Sequence, residues 1–145
     1  MTPNTGKAAA SRSAQLQTIN PPALYDPTPN GYSHVVVSPR NATTVYVSGQ
    51  GGEDQEGQLS TEFEQQVQQA YKNLQAALQA AGASSHDVAK ITTYVVDYDP
   101  ALLPVMTRAV QATFGDTVPA QTLVPVPRLA LDGMLFEVEA IAALS

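Results

Sequence analysis

Hydrophobic positions along this chain change period several times, and each change marks an element. From Thr122, apolar or β-branched residues recur at every second position through Val124 and Val126, which is strand spacing. Asp132-Gly133 follows, a pair that tolerates the positive φ of tight hairpins. The alternation then resumes, with Phe136, Val138 and Ala140 set against Glu137, Glu139 and Ile141. Residues 119–142 thus read as two strands joined by a hairpin turn. Period 2 places Glu137 and Glu139 on one face, and Ile141 continues it. A partly apolar sheet face carrying two carboxylates is the best site signal in the chain. The plain alternative is two solvated edge residues.

Upstream the period becomes helical. Phe63, Val67, Ala70, Tyr71, Leu74, Ala77, Leu78 and Ala81 form one stripe. Thr61-x-x-Glu64 predicts a capping box before it, and Gly82 the left-handed residue after it. A second helix runs to Phe114 with Leu102, Val105, Met106, Ala109 and Val110 on one face, Pro104 in its first turn and Gly115 as its stop. Runs rich in β-branched residues at His34–Val37, Thr43–Ser48 and Val88–Val96 predict three more strands. The first two read as an antiparallel hairpin across Ser38–Asn41. The second and third, joined by a helical crossover, fit as parallel neighbours.

Four prolines at 21, 22, 27 and 29 forbid regular structure before the Asn30-Gly31 turn. Tyr32 follows that turn, either as a pocket wall or as a core tyrosine with its hydroxyl at the surface. Ser48-Gly49-Gln50-Gly51-Gly52 is glycine-rich but matches neither a P-loop nor a dinucleotide fingerprint. Residues 1–18 read as a disordered tail and 19–145 as a single domain. The order β-β-α-β-α-β-β implies an α+β subunit with both helices on one face of a mixed sheet. The other face then calls for a partner subunit.

Composition narrows the chemistry. A net charge of −6 with scattered lysines and arginines argues against a nucleic-acid surface. No long apolar run predicts a membrane span, and no h-region predicts export, so a cytoplasmic location is expected. With no cysteine, thiolate chemistry is excluded. His34 and His86 lack metal-site spacing, and no G-x-S-x-G elbow occurs, so neither a metal nor a cofactor is expected. Glu137 with a bound water is the general acid/base arrangement the sequence offers.

In order, these pieces resemble the RidA/YjgF family, also called reactive-intermediate deaminases or endoribonuclease L-PSP. The carriers are Asn30-Gly31-Tyr32, Val47-Ser48-Gly49-Gln50, Asn73-Leu74, Val88–Val95, Pro119-Ala120 and Phe136–Ala142. The resemblance implies a chorismate-mutase-like subunit, a homotrimer around a central barrel, and clefts between subunits for a small organic molecule. It also implies Tyr32 as cleft wall, Ser48 as polar lining and Glu137 as the residue that holds or activates water. Active deaminases of the family follow Pro-Ala with an arginine that grips the substrate carboxylate. Here that position is Gln121, and Gly31 replaces the proline of the family's Gly-Pro-Tyr. Arg128 matches an arginine that members carry after the strand, but on an unbroken strand it faces away from Gln121. The implied function is a hydrolytic deaminase, or a related hydrolase or isomerase, on a small imine, enamine or carbonyl compound. The alternatives are a non-catalytic ligand-binding or chaperone-like trimer and, less favoured by the acidic charge, a ribonuclease.

Overall fold

The helical stripe becomes α1, Phe63–Ala80, in the computed structural model, which describes residues 15–145. Val67, Ala70, Tyr71, Leu74 and Leu78 are all buried on one side of it. Its end is closed by Gly82 at φ 77°, with Ala83 N–H donating to the Leu78 carbonyl and Gly82 N–H to that of Gln79. Its start differs from expectation. Glu62 is the N-cap and makes no side-chain cap bond. Ser60 Oγ instead accepts from Glu62 N–H at 3.0 Å, so the Thr61/Glu64 capping box does not form. The second helix, α2, spans Leu103–Phe114 with Pro104 in its first turn and Gly115 beyond its end.

Among the described residues six strands accompany the helices: β1 Gln17–Ile19, β2 Val35–Val37, β3 Thr43–Gln50, β4 Val88–Val96, β5 Ala120–Val126 and β6 Phe136–Leu144. They form two sheets, β1-β2 and β3-β6-β4-β5. Three expected pairings are therefore corrected. β2 pairs antiparallel with β1 rather than with β3. Pro39 and Asn41, the latter at φ 60°, turn the chain from one sheet into the other. Gln17 and Thr18, assigned to the tail, are thus strand residues; residues 1–14 of that tail lie outside the described residues.

β3 and β4 run in the same direction but are not neighbours, because β6 lies between them, antiparallel to both. β5 and β6 are likewise not a hairpin. Residues 127–135 form too long a connection for a tight turn and carry the chain past β4. β5 pairs parallel with β4, joined to it through α2.

Both helices pack on one face of the four-stranded sheet. Val47, Ile91, Val95, Phe136, Val138 and Ala140 meet the helices there. Tyr71 packs against Phe114 and Phe136, with ring centroids at 6.1 and 5.9 Å. The opposite face is open in the single chain. Register places Tyr46 beside Ile141, Thr92 beside Glu139 and Tyr94 beside Glu137 on it. Tyr46 is 78% exposed and Ile141 39%. Among the described residues no helix is long and apolar enough to cross a membrane.

Candidate functional site

Two groups of polar residues stand out, one on each face of the sheet. On the helix face, β5 registers Gln121 opposite Ile91 and Leu123 opposite Thr93, so both point toward α2. A cleft of about 370 Å³ opens there. Leu103, Met106 and Val110 of α2 form its apolar wall with Leu123, and Asn30, Tyr32, Thr107 and Gln121 supply its polar groups.

The loop that carries Tyr32 is pinned on both sides. Ser33 N–H donates to the Pro119 carbonyl at 3.0 Å, and buried Ser33 Oγ donates to that of Val118 at 2.6 Å. Ser33 also bridges Ala120 in parallel register, which puts Tyr32 and Gln121 on one side of that pairing, and both line the cleft. On the α2 side, Thr107 Oγ1 donates to the Asn30 carbonyl at 3.3 Å. Gly31 has φ 81°, and a Cβ there would lie 3.3 Å from Thr107 Cγ2, so backbone conformation and space both favour glycine. Tyr32, Tyr25 and His34 stack edge to face at the rim, and His34 Nε2 contacts the Tyr25 carbonyl at 2.8 Å. The Gln121 amide makes one long hydrogen bond, to Thr93 Oγ1 at 3.4 Å.

On the open face, Glu137 is half-buried and lies over Gly49, where the strand pairing of β3 and β6 slips. A Cβ at Gly49 would sit 2.5 Å from the Glu137 carboxyl, so the glycine makes the space that the carboxylate occupies. Burial, then the charges of Glu53 and Glu139, push the Glu137 pKa above the usual carboxylate range. Glu139 accepts from Tyr94 O–H at 3.3 Å. Glu53 Oε1 is buried without a hydrogen-bond partner, tucked against Gly51 and Met134.

The backbone around this cluster is fixed from α1. Asn73 Nδ2 donates to the carbonyls of Gly51 and Glu53 at 2.9 and 2.8 Å. Gln66, fully buried, donates to the Ser60 and Gly133 carbonyls at 2.7 and 2.8 Å and accepts from Leu135 N–H at 2.8 Å. Its amide thus ties the two loops that flank Glu137. A Cβ on Gly52 would lie 2.6 Å from Gln66 Cα, so this loop and the helix touch backbone to backbone.

The residues expected to form one site are therefore divided within the chain. Tyr32 and Gln121 meet in the cleft. Glu137 lies on the opposite face. Ser48 is exposed on β3, its carbonyl accepting from Gln50 Nε2 at 3.1 Å. Arg128 does not line the cleft. β5 ends at Val126, so strand parity no longer governs Arg128, which is exposed and paired with Asp132 in the following loop. No three His, Asp or Glu side chains converge as a metal site would require among the described residues.

Sequence reasoning missed Asn30, Thr107, Gly49, Glu53 and Gln66. For Gln66 a signal was present: it lies three residues after Phe63 and four before Ala70, inside the apolar stripe. Thr107 likewise adjoins Met106 on the covered face. Gly49 lies in the glycine-rich stretch already noted, but nothing in the local pattern marks its place under Glu137, nor Glu53, because their partners are distant in sequence.

Comparison with known proteins agrees with this architecture. The family model described as endoribonuclease L-PSP matches residues 25–144. The RutC family protein YjgH of Escherichia coli is 34% identical over 103 residues, covering 71% of this chain and 77% of that protein. A solved structure from Yersinia pestis, YyfB of the conserved Rid family and of unknown function, superposes with a TM-score of 0.85. It is 34% identical, with 90% of this chain and 99% of that one covered. RidA from the Antarctic bacterium Psychrobacter sp. gives a TM-score of 0.65 at 30% identity, covering 90% and 98%. Family model, relatives and fold agree, and the chain belongs to the RidA/YjgF family.

Proposed function

We propose that this protein is a small-molecule hydrolase of the deaminase type, working as a homotrimer on an imine, enamine or carbonyl compound bound between subunits. One observation carries the reading. The cleft residues Tyr32 and Gln121 and the acid/base candidate Glu137 lie on opposite faces of one sheet, and in this reading a second copy brings its carboxylate to each cleft. Exposed Tyr46 and Ile141 on the Glu137 face support a partner there. In the reaction, water adds through oxygen to the C=N carbon while Glu137 takes its proton. The same carboxyl returns a proton to nitrogen, and the tetrahedral adduct collapses to a carbonyl and ammonia. The environment of Glu137 suits this exchange, since burial and two neighbouring carboxylates favour its protonated form.

The test uses an imine generated in situ by an oxidase, its loss followed with and without the protein. Glu137→Gln is expected to keep fold and assembly and to lower turnover about 10²-fold or more. Unchanged turnover would make Glu137 structural. Light scattering should give about three times 15.3 kDa. A monomer at micromolar concentration would contradict the shared cleft.

A further inference from the structure

The cleft beside α2 contains no cation. Its polar groups are the Gln121 and Asn30 amides, the Thr107 hydroxyl and the Tyr32 phenol, set against an apolar wall. The lysines and arginines among the described residues are engaged or placed elsewhere. Lys90 Nζ donates to Thr122 Oγ1 at 2.8 Å on the open face. Arg108 pairs with Glu64 at 3.6 Å, and Arg128 with Asp132. Lys72 lines the groove between the two helices, and Arg40 lies in the exposed turn after β2. A carboxylate bound here would lose water without gaining an opposite charge, which is costly.

What the cleft does offer is a primary amide. Gln121 presents N–H beside C=O, and its one bond, to Thr93, is long and uses a single N–H. A ligand carrying the same pair in reverse would form two parallel hydrogen bonds with it. Both partners stay neutral, so desolvation is modest. We infer that the cleft takes an uncharged small molecule of the carboxamide class, an amide, urea or lactam with an apolar body, in preference to a carboxylate. This deepens the proposed function and rests on its reading of the cleft as the substrate site.

The test is binding by the full chain, read from the side-chain amide signals of isotope-labelled protein during titration with benzamide and, separately, benzoate. Benzamide is expected to shift the Gln121 signals and to bind at least about tenfold more tightly than benzoate. Gln121→Arg should reverse that order, because a guanidinium pairs with a carboxylate through two charge-assisted bonds. Gln121→Met, a conservative second variant, should lose benzamide affinity without gaining affinity for benzoate.

Three results would overturn the inference: benzoate binding as tightly as benzamide, through a cation supplied by a neighbouring copy; a benzamide preference unchanged in Gln121→Met; or no binding of either probe. The readout is independent of turnover. An inactive protein that still prefers benzamide would refute the hydrolase reading alone. An active hydrolase that prefers benzoate would refute this inference alone.

Discussion

The two faces of the four-stranded sheet are built from the same strands yet hold opposite kinds of site. The helix face has a formed cleft and neutral hydrogen-bonding groups: Tyr32, Thr107 and Gln121. The open face concentrates charge, with Glu137, Glu139 and Glu53 near one another and Lys90 across β4. Period 2 forces this separation. Gln121 registers with Ile91, Glu137 with Tyr94, and residues 91 and 94 of β4 have opposite parity. In the proposed reaction one face recognises the molecule and the other moves the proton, and this separation is why that proposal needs a second chain.

The largest expected effect comes from breaking the frame beneath the charged region. Gln66→Leu keeps a side chain of similar size but strands the Ser60 and Gly133 carbonyls and the Leu135 N–H. Gln66 is buried but its hydrogen bonds are only part-buried, and an orphaned group costs about 1–3 kcal/mol when water cannot reach it, so the loss should reach about 2–3 kcal/mol in urea unfolding. A loss under about 1 kcal/mol would mean that water replaces the amide.

A smaller effect separates position from stability. In Gly49→Ala the new Cβ meets the end of a flexible side chain, the Glu137 carboxyl, so the carboxylate should move while the fold holds. Imine turnover should fall about tenfold or more with a stability change under about 1 kcal/mol. Gly52→Ala is the contrast: its Cβ meets the backbone of α1 and should cost about 1–3 kcal/mol. Similar unfolding midpoints for the two variants would sink this distinction.

The smallest effect sharpens the electrostatics. After burial, the charge of Glu53 helps to raise the Glu137 pKa, so Glu53→Gln should lower it. Carboxyl NMR titration reads this directly. The sign for stability follows from linkage. A raised pKa means that the folded protein holds the proton more tightly, so this contribution is present below the unfolded glutamate value, about 4.3, and is lost as pH rises through the folded one. Relief by Glu53→Gln should therefore appear on the alkaline side of that window and vanish on the acid side. A Glu137 titration unchanged by the substitution would remove Glu53 from the cluster.

Local structure was legible wherever the physics is local. The β-branched run Val88–Val96 is a strand over that same span, and the stripe from Phe63 marks α1 because burial of one helix face is written at i, i+4 and i+7. That Glu137 and Glu139 share a face also follows from spacing alone. Pairing was not legible. β6 enters between β3 and β4 through contacts far apart in sequence, and β1 is three residues long with no alternation to announce it. The face of Gln121 depends on the register of β5 against β4, which the sequence of β5 does not contain. Tyr32, Gln121 and Glu137 could thus be singled out in the sequence, but their division between two faces, and the place of Arg128 outside the cleft, could not.

The division itself can be tested by mixing chains. One chain carries Tyr32→Ala and Gln121→Leu, which disable the cleft; the other carries Glu137→Gln. Each homotrimer should hydrolyse the oxidase-generated imine poorly. Co-assembled, the intact cleft of the second chain meets the intact Glu137 of the first, and part of the lost turnover should return. Mixed trimers, verified by mass, that stay as inactive as both parents would contradict a site shared between two subunits.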